Sequence, residues 1–188
     1  MTYIIDPRKQ AAAVRQRLDE KRDDERTTRN LRTMLAHMQA EAAGDFPALM
    51  ATVSPDARYT NFNAGPDSPH SPRSKDEVGV YYRGLVEGNC HQIEHAIDRI
   101  VADQDNIATE GEIRIAYPAA VLKAMGHEVD ASAPYYLYVA RMMIIWGFDD
   151  EGLVSCEDSY NVLDGFEGIA SRPVQQSDIY SVAAASGE

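Results

Sequence analysis

The sequence predicts an α+β fold, with helices gathered on one face of a curved antiparallel sheet. Two observations carry this prediction. Helical periodicity dominates the first half of the chain, whereas alternating apolar and polar segments dominate 90–162. The last strands follow one another through short Asp- and Gly-rich turns with no crossover helix between them, which excludes a doubly wound sheet.

The elements follow in order. Residues 8–43 read as helix: "RLDEKRDDERTTRN" is a charged first part of mixed sign, and Leu31, Met34, Leu35 and Met38 form an apolar stripe. The charged part, in residues 1–27, is expected to be a solvated arm or an oligomer contact, and Gly44 is the expected C-cap. "DFPALMATV", 45–53, reads as a short helix capped by Asp45, with Pro47 in its first turn. "DARYTNFN", 56–63, alternates like a strand, and the proline-rich 64–74 is a loop. Ser74 with Glu77 opens a helix carrying Val78, Tyr82 and Leu85, and Gly88 stops it. Strands 90–102 and 106–117 flank the turn "ADQDN". A short helix over 118–129 precedes a long strand, 135–148, and a last strand, 153–162. The remainder reads as a tail on the surface.

A net charge of −12 in 188 residues argues against nucleic acid and anionic membrane surfaces, both of which need a basic footprint. The longest apolar run, near Val139–Trp146, contains Arg141 and is too short to span a bilayer. Cys90 and Cys156 are too few for a disulfide framework and read as reduced thiols, so a cytoplasmic protein is expected. No phosphate loop, nucleophile elbow or CxxC is present, and nothing points to a nucleotide, flavin or metal cofactor. His91 and His95 share a strand face but stand roughly 13 Å apart, too far to ligate one ion together.

The stretch "TEGEIRIAYP", 109–118, places Glu110, Glu112 and Arg114 on one strand face, opposite Gly111, Ile113 and Ile115. Such a face is either solvated or part of a pocket. The order of "GDFPALMATVSPDARY", "SKDEVGVYYRGL", "RIVADQDNIATEGE" and "WGFDDEGLVSCEDSY" resembles the nuclear transport factor 2-like superfamily. Within it, the similarity is to SnoaL-like polyketide cyclases, ketosteroid isomerases, scytalone dehydratases and limonene epoxide hydrolases, over roughly 28–165. The resemblance implies a cone, with the sheet wrapped around helices and a deep pocket open at one end. The epoxide hydrolases carry Tyr-x-Asn on the first strand, matched by Tyr59 and Asn61. Their Arg-x-Asp falls on Glu112 and Arg114 with the charges reversed, which keeps a pocket-facing pair but not the epoxide chemistry. Their last-strand Asp falls near Asp158, with Glu157 the rival on the opposite face.

The expected catalytic set is Glu112, Arg114, Tyr59, His95 and Asp158. A buried carboxyl can serve as base, an arginine can steady an oxyanion and a phenol can act as donor. The expected substrate lining is Asn61, Asn63, Tyr82, His91, Tyr117, Tyr136, Tyr138 and Trp146, with His127 near the mouth. Ten tyrosines suit either core packing or an aromatic pocket with orienting hydroxyls. The expected activity is a cofactor-independent lyase on a hydrophobic, aromatic small molecule, by dehydration or retro-aldol cleavage. An isomerase or cyclase of polyketide or steroid-like substrates is the second reading, and a non-catalytic binding or dimerisation domain the third. Met143, Ile145 and Gly147 share the other face of the long strand and suit a homodimer or higher oligomer.

Overall fold

The computed structural model describes residues 3–181, apart from 66, 69 and 131. The predicted helix over 8–43 is divided. A 3-10 turn, Pro7–Ala11, runs into α1 (Ala12–Asp19), and the chain then breaks at Lys21, whose φ is +51°. Arg17 grips Asp23 through two bonds of 2.6 and 2.7 Å, fixing the corner. Asp24 then caps α2 (Glu25–Ala43) by accepting from Thr27 N–H at 2.9 Å, and Gly44 closes it at φ +65°. The first part is seated rather than free at its start, where Val14 is fully buried and Pro7, Gln10 and Ala11 are buried too, whereas Arg15, Gln16 and residues 19–22 are solvent-exposed.

Asp45 caps α3 (Phe46–Ala51), and Ser74 caps α4 (Lys75–Glu87) by accepting from Glu77 N–H. Between them the expected strand over 56–63 shrinks to β1 (Thr60–Asn61). Tyr59 N–H donates to the Pro72 carbonyl, and Asn61 Oδ1 accepts from the N–H groups of Asn63 and Ala64, turning the chain away.

The sheet strands are β2 (Ile93–Ala102), β3 (Asn106–Pro118), β4 (Tyr135–Phe148) and β5 (Val154–Val162). Their order is β1-β5-β4-β3-β2, antiparallel except where β1 runs parallel to β5. The β2–β3 turn is held by Asp103, whose Oδ1 accepts from Asp105 and Asn106 N–H. Helix α5 (Ala119–Ala124) links β3 to β4. The predicted tail is not loose up to 181. It adds β6 (Pro173–Val174) to β4, and Ile179 bridges Ile5; its residues 182–188 lie outside those described.

Register fixes the faces. Ile107, Thr109 and Ile113 of β3 stand opposite Trp146, Ile144 and Ala140 of β4, and Glu157 of β5 stands opposite Trp146. These form the concave face. One apolar cluster joins Leu31, Met34, Met38, Leu49, Val78 and Trp146; another joins Ile93, Ile113, Leu122, Tyr136 and Ile169. Met142 packs against both. On the convex face Ile5, Ala116, Tyr135, Val174 and Ile179 make a third, smaller cluster.

Candidate active site

Three protic side chains meet on the concave side. His37 on α2 and Tyr82 on α4 are completely buried, and Glu157 on β5 keeps 18% of its side chain exposed. Thr52 donates its hydroxyl to the Leu49 carbonyl at 2.6 Å, so its oxygen accepts from His37 Nδ1 at 2.7 Å. Nδ1 therefore carries a proton. Nε2 stands 2.8 Å from Tyr82 Oη and 3.0 Å from Glu157 Oε1, and Tyr82 Oη stands 2.8 Å from Glu157 Oε1. Tyr82 has one proton and can close one side of this triangle. His37 Nε2, Tyr82 Oη and Glu157 Oε1 thus lie within hydrogen-bonding distance of one another.

Glu41 lies one helical turn beyond His37. The residue as a whole is half-buried, but its Oε2 accepts at 3.1 Å from the amide of buried Gln10. Burial, and then the charge of Glu157, push its carboxyl up to about 7, against the lowering effects of His37 and Gln10. Tyr59 is buried edge-on to Tyr82, with ring centroids 6.0 Å apart, and its hydroxyl lacks a hydrogen bond of good geometry. Burial first and Glu157 second hold the phenols of Tyr59 and Tyr82 well above their ordinary range. Tyr81 is raised by burial and then by Glu41, so these phenols keep their protons and act as donors.

Glu112 and Arg114 do not join this group. The odd residues of β3 face the helices, so Glu110, Glu112 and Arg114 fall on the convex face. There Arg114 pairs with Glu112 at 2.6 Å and reaches buried Glu94 at 4.0 Å, and Arg141 links Glu110 to Asp98. Asp158 likewise points outward, opposite Ile145, and Glu157 takes the inward position. His95 is buried opposite Ile113, apart from the triangle. Burial pulls it down to about 4, and the charges acting on it are those of Glu110, Arg141 and Asp98. Replacing Glu112 by Gln and Arg114 by Met is expected to change unfolding free energy by less than ~1 kcal/mol, because the pair is part-exposed. Urea titration measures this.

The other expected lining residues divide. Tyr82 belongs to the site, and Trp146 backs it, edge-on to His37 and donating Nε1–H to Thr109 at 3.1 Å. Tyr138 and Tyr117 meet Phe166 at the other end of the concave face, where Phe166 also stacks on His127. Asn161 donates to the Tyr138 hydroxyl at 2.7 Å. Tyr136 donates to the Asp130 carbonyl and is a core residue. Asn61 and Asn63 are absorbed by the turn after β1 and by pairing with Asn161. His91 sits against Gly44, away from the triangle. Met143, Ile145 and Gly147 lie on the convex face, as parity predicts. Cys90 and Cys156 are free, and burial raises both thiols to about 11.

Sequence reasoning missed His37 and Glu41. Met34, His37, Met38 and Glu41 follow the i, i+3, i+4, i+7 spacing. Two ionisable residues inside an apolar stripe were the available signal.

Helices enclosed by a curved, open sheet, with acids and phenols on the inner face, define a cone built around a protic interior. The chain belongs to the SnoaL-like domain family, whose model matches residues 34–155. Solved structures of the same fold include a putative SnoaL-like polyketide cyclase from Shewanella putrefaciens, at TM-score 0.62 and 9% identity over 92% of this chain and 96% of that one. An M. tuberculosis LEH-like epoxide hydrolase matches at TM-score 0.58 and 20% identity, over 78% and 92%. A Catenulispora acidiphila protein with a ketosteroid isomerase-like fold, in complex with trimethylamine, matches at 0.52 and 12%, over 75% and 93%. Among curated proteins there is no match. Among the described residues, no helix is long and apolar enough to cross a membrane, and no group of three His, Cys, Asp or Glu residues could hold a metal ion.

Proposed function

We propose that the protein is a cofactor-independent acid–base lyase acting on an uncharged, hydroxylated aromatic small molecule. The observation that carries this reading is Glu41, raised to about 7 by burial and then by the charge of Glu157, beside Glu157, whose Oε1 stands 3.0 Å from His37 Nε2 and 2.8 Å from Tyr82 Oη. Two carboxyls whose environments differ in this way suit the two halves of an elimination. In a dehydration, the Glu157 carboxylate, held by His37 and Tyr82, takes the carbon-bound proton. The electron pair of that C–H bond forms the double bond, the C–O bond breaks, and Glu41 delivers its proton to the departing hydroxyl, which leaves as water. In the retro-aldol variant the Glu157 carboxylate takes the hydroxyl proton, the freed electron pair forms the carbonyl as the C–C bond breaks, and Glu41 protonates the carbon released. Tyr59, whose hydroxyl lacks a hydrogen bond of good geometry, orients the substrate oxygen.

The charges acting most strongly on Glu41, Tyr59 and Tyr82 include two carboxyls and one histidine, with no Lys or Arg among them. Arg99, Arg114 and Arg141 share the convex face with Glu110 and Glu112. An anionic substrate would lie beside like charges in a poorly screened interior, which favours a neutral one. Distinct acid and base favour elimination over isomerisation, in which a single base can return the proton it removed.

The test is turnover of uncharged hydroxylated diaryl and polycyclic compounds in heavy-oxygen, deuterated water, read by mass spectrometry. The expected product has lost water, or has split into two fragments whose compositions sum to that of the substrate, apart from exchange at a new carbonyl. A product that has added the elements of water, a product of unchanged composition that gains only deuterium, or no turnover and no calorimetric binding across the panel each overturns the lyase reading.

A further inference from the structure

We propose that Gln10, carried inward by the N-terminal segment, is a positioning residue for Glu41, and that the site is incomplete without this segment. The inference rests on Glu41 as the site acid. Gln10 lies well outside the matched 34–155, yet it is only 3% exposed, and its Nε2 donates to Glu41 Oε2 at 3.1 Å.

Val14 beyond Gln10 is fully buried, and the chain before it is clasped. Buried Glu94 on β2 accepts from Asp6 N–H at 2.7 Å and from Lys9 Nζ at 3.1 Å. Ile5 bridges Ile179, and the Arg8 guanidinium lies 3.8 Å over the Tyr180 ring. The 3-10 turn Pro7–Ala11, started by Asp6 and Pro7, then aims Gln10 at α2.

The charged and titratable groups acting on Glu41 are His37 from its own helix and Glu157 from β5; Glu41 in turn acts on Tyr59 and on Tyr81 and Tyr82 of α4. Gln10 is the uncharged donor among them. Its bond to Oε2 leaves Oε1 as the oxygen that exchanges a proton with substrate. It also favours the ionised carboxyl, opposing burial and Glu157, so it holds Glu41 nearer neutrality than those two effects alone would.

The experiment is a carbon-13 NMR titration of the Glu41 side-chain carboxyl in the full chain, without substrate, for wild type and Gln10→Leu. The midpoint is expected to rise by about one pH unit in the variant, as loss of a hydrogen bond to a charged group requires. In the wild type, the Gln10 side-chain amide resonances are expected to move with the same midpoint, a readout that needs no variant. An unchanged Glu41 midpoint in a folded Gln10→Leu, or amide resonances indifferent to pH, overturns the proposal. Both measurements are independent of turnover, so they separate this inference from the lyase reading.

Discussion

Glu157→Gln is expected to lower kcat/KM on any compound of the uncharged diaryl panel by about 10²- to 10⁴-fold, the range for loss of a positioned acid or base. The amide keeps the shape and can still accept from Tyr82, but it cannot take a proton from the substrate. Glu112→Gln with Arg114→Met, on the opposite face of the sheet, is the control expected to retain wild-type rates. Glu157→Gln activity within a factor of three of wild type would remove Glu157 from the chemistry.

Glu41→Gln is expected to stabilise the protein at pH 8 and leave it unchanged near pH 4. A carboxyl raised from 4.5 to about 7 by burial holds its proton in the folded state after the unfolded chain has released it. Stability from this group is fully present below about pH 4.5 and is lost as pH rises through about 7, amounting to about 3 kcal/mol. His95 acts with the opposite sign. Lowered from 6.5 to about 4, it contributes stability that is present above about 6.5 and lost as pH falls. Between about pH 4.5 and 6.5, unfolding releases Glu41's proton and takes one up at His95, so these two slopes cancel in the wild type. The variant should expose the His95 slope, about 1.4 kcal/mol per pH unit, in urea titrations run from pH 4 to 8. Curves for wild type and variant that stay parallel across that range would show that Glu41 titrates as an ordinary carboxyl.

The strands were legible where alternation was strong. "YYLYVARMMIIWGF" coincides with β4 from Tyr135 to Phe148, and the Asp-rich turn before β3 needs only Asp103 to close it. The caps Asp45, Ser74 and Gly44 were equally plain, because they act through local backbone geometry, whereas Asp24, which divides the predicted helix, was not read. Alternation separates two faces of β3 but does not say which one curves inward. The apolar set of Ile107 and Ile113 meets the helices, and "TEGEIRIAYP" turns its charges outward. The site itself was harder to read. Its parts come from α2, α4 and β5, whose meeting depends on packing between residues as far apart as His37 and Glu157. The position of Gln10 depends on a clasp to Glu94, and no local pattern announces that contact.

The bridge between Ile5 and Ile179 sets an order of assembly. It joins positions at opposite ends of the described chain, and such distant closures cost more chain entropy than local ones and form late. During synthesis residues 5–8 must wait for Ile179 and Tyr180 before their seat is complete. The clasp that carries Gln10 to Glu41 can therefore be completed only after every strand of the main sheet has been made.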